Sequence, residues 1–215
     1  SLNGEEYMLL ENTYQSFIRS GANLCEKDKD EFKRISADLS LNILKYSQNL
    51  LKETNAYELR LSEEQLQGLP ESAIATYAQT AKEKGKEGYI VTLQIPSFSP
   101  FMKYSTNREL RKKLYTAYHT QCTHDNEFDN QDLVKTLVNL RMRRAQLLGY
   151  PCVADFVLTR RMAENSERVY HLINQLLNAY APTAKKEMFE LQALAKELEG
   201  ENFELMPWDL AYYAE

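Results

Sequence analysis

The sequence predicts an all-α fold, an array of long antiparallel helices with one short β element near residues 89–95. Three observations carry this. Seven glycines and six prolines in 215 residues are about half the usual share, too few for a turn-rich β architecture. Long segments repeat apolar residues at steps of three or four, the spacing of one helix face. Only Tyr89–Ile95 (YIVTLQI) is rich in β-branched residues in the manner of a strand.

Taken in order, a first helix is expected from Glu5 to Ser20, with Tyr7, Leu10, Tyr14, Phe17 and Ile18 on one side and Gly21 stopping it. A long helix follows over Asp28–Thr54. Acidic Asp28, Asp30 and Glu31 complement the dipole at its start, and Phe32, Ile35, Leu39, Ile43, Tyr46 and Leu50 form its stripe. Ser62–Gly68 reads as a brief helix, and Leu69-Pro70 opens another that places Ile74, Tyr77, Ala78 and Ala81 inward and ends at Gly85. The strand at Tyr89–Ile95 needs a partner, either a weak one within Ala56–Leu61 or one outside these residues. Pro96 and Pro100 are expected to fix a rigid turn carrying Phe98 and Phe101.

Thr106 or Asn107 then caps the first of two amphipathic helices joined by a polar loop. In the second, Leu133, Leu137, Leu140, Leu147 and Leu148 make the stripe, and Val134, Val138 and Ala145 widen it enough to face two neighbours. Gly149 and Pro151 stop it. Ser166 is the expected N-cap of a last long helix filled by Val169, Leu172, Leu176, Tyr180, Met188, Leu191, Leu194 and Leu198, with a kink or short break at Pro182. Pro207–Glu215 looks like the first turns of a helix that receives no stop signal, which suggests a chain that ends inside a larger fold.

Bulk properties exclude some functions. A net charge of -5 disfavours general nucleic-acid binding. No apolar run approaches the roughly 20 residues of a membrane span, and the first residues lack the pattern of a secretion signal. Cys25, Cys122 and Cys152 are odd in number, widely spaced and without C-x-x-C. Free thiols in a reducing compartment, and so a cytoplasmic location, are expected.

Few residues offer chemistry. The run His119, Cys122, His124 gathers metal-type ligands, but a structural zinc site needs about four, and Cys25, Cys152 or Asp125 stand at no motif-like spacing to supply the fourth. The basic clusters Arg108, Arg111, Lys112 and Lys113, then Arg141, Arg143 and Arg144, then Arg160 and Arg161 read as solvated helix faces. The sharper reading is that one of these arginines holds a peptide carboxylate. Trp208, Tyr212 and Tyr213 read as packing groups. The patterns G-x-S-x-G, G-x-G-x-x-G, E-x-x-H and H-E-x-x-H do not occur.

A resemblance spans the chain. R-x-L-R-x-x-L-Y-x-A at 108–117, F-D-N at 128–130 and L-R-x-x-R-A-x-L-L-G-Y-P at 140–151 are similar to the zinc oligopeptidases of the thimet oligopeptidase class, peptidase family M3. So, in the same order, are Ser16–Leu24 (SFIRSGANL), Gln48–Asn55 (QNLLKETN), Gly68–Ser72 (GLPES), Val91–Pro96 (VTLQIP) and Pro207–Glu215 (PWDLAYYAE). Within the class, the sequence most resembles the Dcp-type bacterial peptidyl-dipeptidases.

The resemblance implies a thimet oligopeptidase/neurolysin-like fold and a zinc-dependent parent that releases C-terminal dipeptides from short peptides. In the family, H-E-x-x-H lies beyond the segment matching Trp208–Glu215. Residues 1–215 are therefore expected to be a single helical fragment that precedes the zinc motif, supplies no catalytic, cofactor-binding or metal residue and is inactive alone. Its expected role is part of the substrate-channel wall, its partners the remainder of its own polypeptide and the parent's peptide substrates. The alternatives are a fragment of an endo-cleaving oligopeptidase and a stand-alone helical binding module.

Overall fold

The computed structural model describes residues 3–215. It is helical with one small sheet, in the order α1 (Gly4–Arg19), α2 (Glu26–Ala56), β1 (Leu59–Leu61), a 3₁₀ turn (Glu63–Leu66), α3 (Glu71–Glu83), β2 (Tyr89–Val91), α4 (Ile95–Tyr104), α5 (Arg108–His119), α6 (Gln131–Leu147), α7 (Val153–Leu158), α8 (Ser166–Glu199) and α9 (Leu210–Tyr213). The residues form two compact units. One takes the chain up to Ser47 together with Asn130–Gln175; the other takes Gln48–Asp129 and Leu176–Glu215.

The first unit has a small core. Ile35 and Leu39 of α2 meet Leu137 of α6, with Tyr46, Leu140 and Leu147 packed around them. Asn130 Nδ2 donates to the Tyr46 carbonyl at 3.1 Å, so the start of α6 is tied to α2 by a bond as well as by apolar contact. Arg143 holds Glu31 with two hydrogen bonds, 2.7 Å from Nε and 2.9 Å from Nη2. α1 opens with a capping box in which Asn3 and Glu6 satisfy each other's backbone N–H groups.

The second unit has the larger core: Leu59, Leu61, Leu69, Ala73, Tyr77, Val91, Leu93, Phe101, Met102 and Leu114. The strand of the sequence reading shortens to Tyr89–Val91, and its partner lies within the chain. β1 pairs antiparallel to it, with Leu59 opposite Val91 and Leu61 opposite Tyr89. The weak candidate within Ala56–Leu61 is thus the right one, and alternation explains it, since Leu59 and Leu61 are buried while Arg60 is exposed.

The expected Pro96–Pro100 turn is a helix, α4, and this corrects the sequence reading. Pro96 stands in the first turn, where a missing N–H removes no intrahelical bond. Pro100 lacks its bond to the Pro96 carbonyl, yet burial of Ser97, Phe101 and Met102 outweighs that loss. Ser97 is fixed twice: its Oγ accepts from the Thr92 N–H at 2.9 Å, and its carbonyl accepts from the Tyr77 hydroxyl at 2.9 Å.

Two further expectations change. The N-cap of α8 is Asn165, whose Oδ1 accepts from the Arg168 N–H at 3.0 Å, rather than Ser166. α8 runs through Pro182 as one helical segment, so of the expected kink or short break the break does not occur. The stripes on α1 and α8 are largely exposed on these units: Tyr7, Leu10, Tyr14 and Phe17 are exposed, as are Leu172, Leu176, Tyr180, Met188, Leu194 and Leu198. On α6, Val134 and Val138 are also exposed. Helical spacing identifies an apolar face, but a face is buried only where a second element lies against it.

Candidate functional site

The densest polar chemistry lies on α5 and the segment that ends in α9, within the second unit. Asp209, wholly buried, is the hub. It accepts from Arg108 Nε at 3.0 Å and Nη2 at 2.7 Å, from Arg111 Nη2 at 2.9 Å, and from the Met206 N–H at 3.1 Å. Arg111 is 1% exposed, and its Nη1 also donates to the Ser105 carbonyl at 2.7 Å. Aromatic rings complete the enclosure, with Tyr212 4.1 Å from the Arg111 guanidinium and Phe203 4.2 Å from that of Arg108. Burial by itself would raise the Asp209 carboxyl pKa. The hydrogen bonds from Arg108, Arg111 and the Met206 N–H overcome that and hold it below the usual carboxylate range.

Arg108 and Arg111 are therefore not a solvated helix face. They fasten the chain before α9 to α5, and Tyr213 adds a bond from its hydroxyl to Glu199 at 3.0 Å. Sequence reading missed this because the partners stand about a hundred positions apart.

Beside the cluster, α5 opens onto a concavity of about 640 Å³ lined by its Glu109, Lys112, Lys113, Thr116 and Ala117, by Thr120 at its end, and by Glu53, Tyr57, Leu93 and His124. The α5 positions recur at helical spacing, so one face of one helix makes a whole wall. Glu53 and Tyr57 stand one turn apart at the end of α2. The Tyr57 hydroxyl is buried and has no hydrogen-bond partner among the described residues. Burial pushes its pKa up. Lys112 Nζ lies 5.2 Å from the centre of the Trp208 ring.

The metal-type run does not converge. The His119 ring lies tilted against Tyr115, centroids 4.0 Å apart, whereas His124 pairs with Glu53 at 3.3 Å. Cys122 is buried, with its N–H donating to Glu53 at 2.6 Å, and burial together with Glu53 pushes its thiol up to about 12. Among the described residues, no group of three or more His, Cys, Asp or Glu side chains could hold a metal ion. A zinc ion does not fit this set.

The remaining basic residues scatter. Arg143 is taken by Glu31, and Arg160 Nη2 donates to Asn12 at 2.5 Å. Arg144 is half-buried, and burial, with Arg141 nearby, lowers its pKa. No helix among the described residues is long and apolar enough to cross a membrane.

The sequence model of peptidase family M3 matches residues 101–215, which take in α5, the Asp209 cluster and α9. Oligopeptidase A of Escherichia coli (strain K12) is 36% identical over 220 residues, covering 100% of this chain and 32% of that protein. Oligopeptidase A of Haemophilus influenzae is 35% identical over 211 residues, 96% of this chain and 31% of that protein. Dipeptidyl carboxypeptidase of Escherichia coli (strain K12) is 29% identical over 216 residues, again 100% of this chain and 32% of that protein. The expected leaning toward the peptidyl-dipeptidases is thus only partly met, since both oligopeptidases A have the higher identity. The chain spans about a third of the length of these relatives. With the family pattern covering more than half of its residues, the chain belongs to peptidase family M3.

Proposed function

We propose that this chain is the non-catalytic helical part of a zinc-dependent peptidase that acts on short peptides, and that it forms part of the wall restricting access to the catalytic centre. The observation that carries the reading is likeness along the whole chain to proteins named Oligopeptidase A, at 35% and 36% identity. The exposed apolar faces of α1 and α8 support it, because faces of this kind are suited to packing against the remainder of a longer polypeptide. The zinc, the general base and the oxyanion donors belong, in this reading, to that remainder.

The relatives favour an oligopeptidase over an enzyme that releases C-terminal dipeptides. Dipeptide release is kept as the second reading, since 29% identity extends over the whole chain. One experiment tests both. The longer protein and the 215-residue chain are analysed for zinc and given an N-blocked peptide of about ten residues, with products read by mass spectrometry. Internal cleavage by the longer protein alone supports the first reading, and stepwise loss of dipeptides from the C-terminus supports the second. Cleavage by the 215-residue chain would overturn its non-catalytic role.

A further inference from the structure

We infer that a concavity on the first unit binds a dianionic phosphate group, either free or as the monoester of a small molecule. Arg160 and Arg161, apart from the other basic residues, join Arg19 around a space of about 410 Å³. That volume lies within the range of small-molecule sites, roughly 300–1,000 Å³. Asn12, Ser16, Ser20 and Val157 complete the described lining, which therefore holds three cations and no carboxylate.

The described residues leave these charges unanswered. Arg19 Nη1 donates to the Thr159 hydroxyl at 2.9 Å, and its guanidinium lies over the Phe156 ring, 3.8 Å from the centre. Arg160 donates to the Asn12 side-chain oxygen. These partners are neutral. They hold the two guanidiniums in place without cancelling charge, and most of the N–H donors are left to a ligand. Arg161 is exposed, and none of the three has an ion pair among the described residues.

Charge balance selects the occupant. Arg19 is the last residue of α1, and Arg160 and Arg161 follow the end of α7. A helix C-terminus carries at most about half a negative elementary charge, so the two ends together offset roughly one of the three cations. The surplus of about two positive charges matches a phosphate group, which carries about −1.5 to −2 at neutral pH and offers three acceptor oxygens. Arginine pairs with such oxygens two at a time, and several guanidiniums can share one phosphate. A single carboxylate has about half the charge and is filled by one bidentate arginine, which would leave the others unanswered. Ser16, on the same wall of α1, adds a hydroxyl donor, and Val157 offers an apolar contact to the organic part of an ester.

The test is calorimetric titration of inorganic phosphate, phenyl phosphate and benzoate into the full 215-residue chain at low salt. Both phosphates should bind saturably in the millimolar range or tighter, about tenfold or more ahead of benzoate. Raising the salt to about 0.2 M should weaken them about tenfold, because these charges stand in reach of solvent ions. Phenyl phosphate binding ahead of phosphate marks an ester as the occupant, and equal affinity marks free phosphate; either supports the site. Arg161→Gln should weaken binding about tenfold. Ser16→Asp, which sets a carboxylate at an exposed position of the lining, should abolish it, and both variants should keep the circular dichroism melt of wild type. Arg141→Gln removes an equal charge at an exposed position elsewhere on the same unit and should leave binding unchanged. No saturable binding of either phosphate up to about 10 mM, benzoate binding as tightly, or equal losses from Arg141→Gln and Arg161→Gln would overturn the inference. The site is independent of the peptidase reading and stands or falls apart from it.

Discussion

Replacing Asp209 by Asn removes one charge from a carboxylate that is 0% exposed and leaves Arg111, 1% exposed, without its counterion. Breaking a buried ion pair from one side costs about 3–5 kcal/mol, most of it the uncompensated charge that stays behind. Arg108 adds less, because its side chain is 36% exposed and water can take over part of the interaction. With a urea dependence of about 3 kcal/mol/M, the midpoint of the second unit should fall by about 1–1.7 M. Trp208, the single tryptophan, adjoins Asp209 and reports this unit by its fluorescence. The double variant Arg111→Met with Asp209→Leu should recover most of the loss, since an apolar pair can occupy the space without a desolvated charge.

Acid provides a second check. A carboxylate whose folded pKa is depressed contributes stability above its unfolded value, about 3.9, and that contribution is lost as pH falls through the folded value. The gap between wild type and Asp209→Asn should therefore close progressively below about pH 4. A midpoint within about 0.3 M of wild type at pH 7, or a gap that is constant down to low pH, would refute the assignment of Asp209 as the buried counterion of Arg111.

Three further outcomes are expected. Gly68→Ala should cost about 3 kcal/mol by thermal melting, because φ is +85° and a Cβ would lie 2.3 Å from the Tyr104 carbonyl oxygen; Gly85→Ala, with φ +66° but open space, should cost only about 1 kcal/mol. Tyr77→Phe should lower stability by about 1–2 kcal/mol in urea unfolding, since it leaves the buried Ser97 carbonyl without its hydroxyl donor. At pH 8 a disulfide reagent should label exposed Cys25 promptly and Cys122, buried and with its thiol pushed up to about 12, only when the chain is unfolded; prompt labelling of Cys122 would contradict its enclosure beside Glu53.

Much of the helical frame was legible from local chemistry. The stripes at Ile35 and Leu39 and at Leu137 placed α2 and α6 and named the residues that form the small core. Asn107 was readable as a cap, and its Oδ1 accepts the Leu110 N–H at 3.1 Å. α4 was misread because two prolines in six residues suggest a turn, while the burial of Ser97, Phe101 and Met102 that holds it helical is a tertiary fact. The apolar stripes of α1 and α8 are legible as faces, but their exposure on these units is a tertiary fact.

The sequence by itself determined the all-α class, most element positions and the family, because periodicity, caps and short motifs act over a few residues. Only the tertiary structure decided which groups meet. It joined Arg108 and Arg111 to Asp209, gave His119 and His124 different partners, and gathered Tyr57 with α5 residues around one concavity. The physical reason is range. A helix closes its hydrogen bonds four residues away, so its rules are written locally. A buried charge finds its partner wherever folding brings one, and nothing in the local spacing of Arg111 points to position 209.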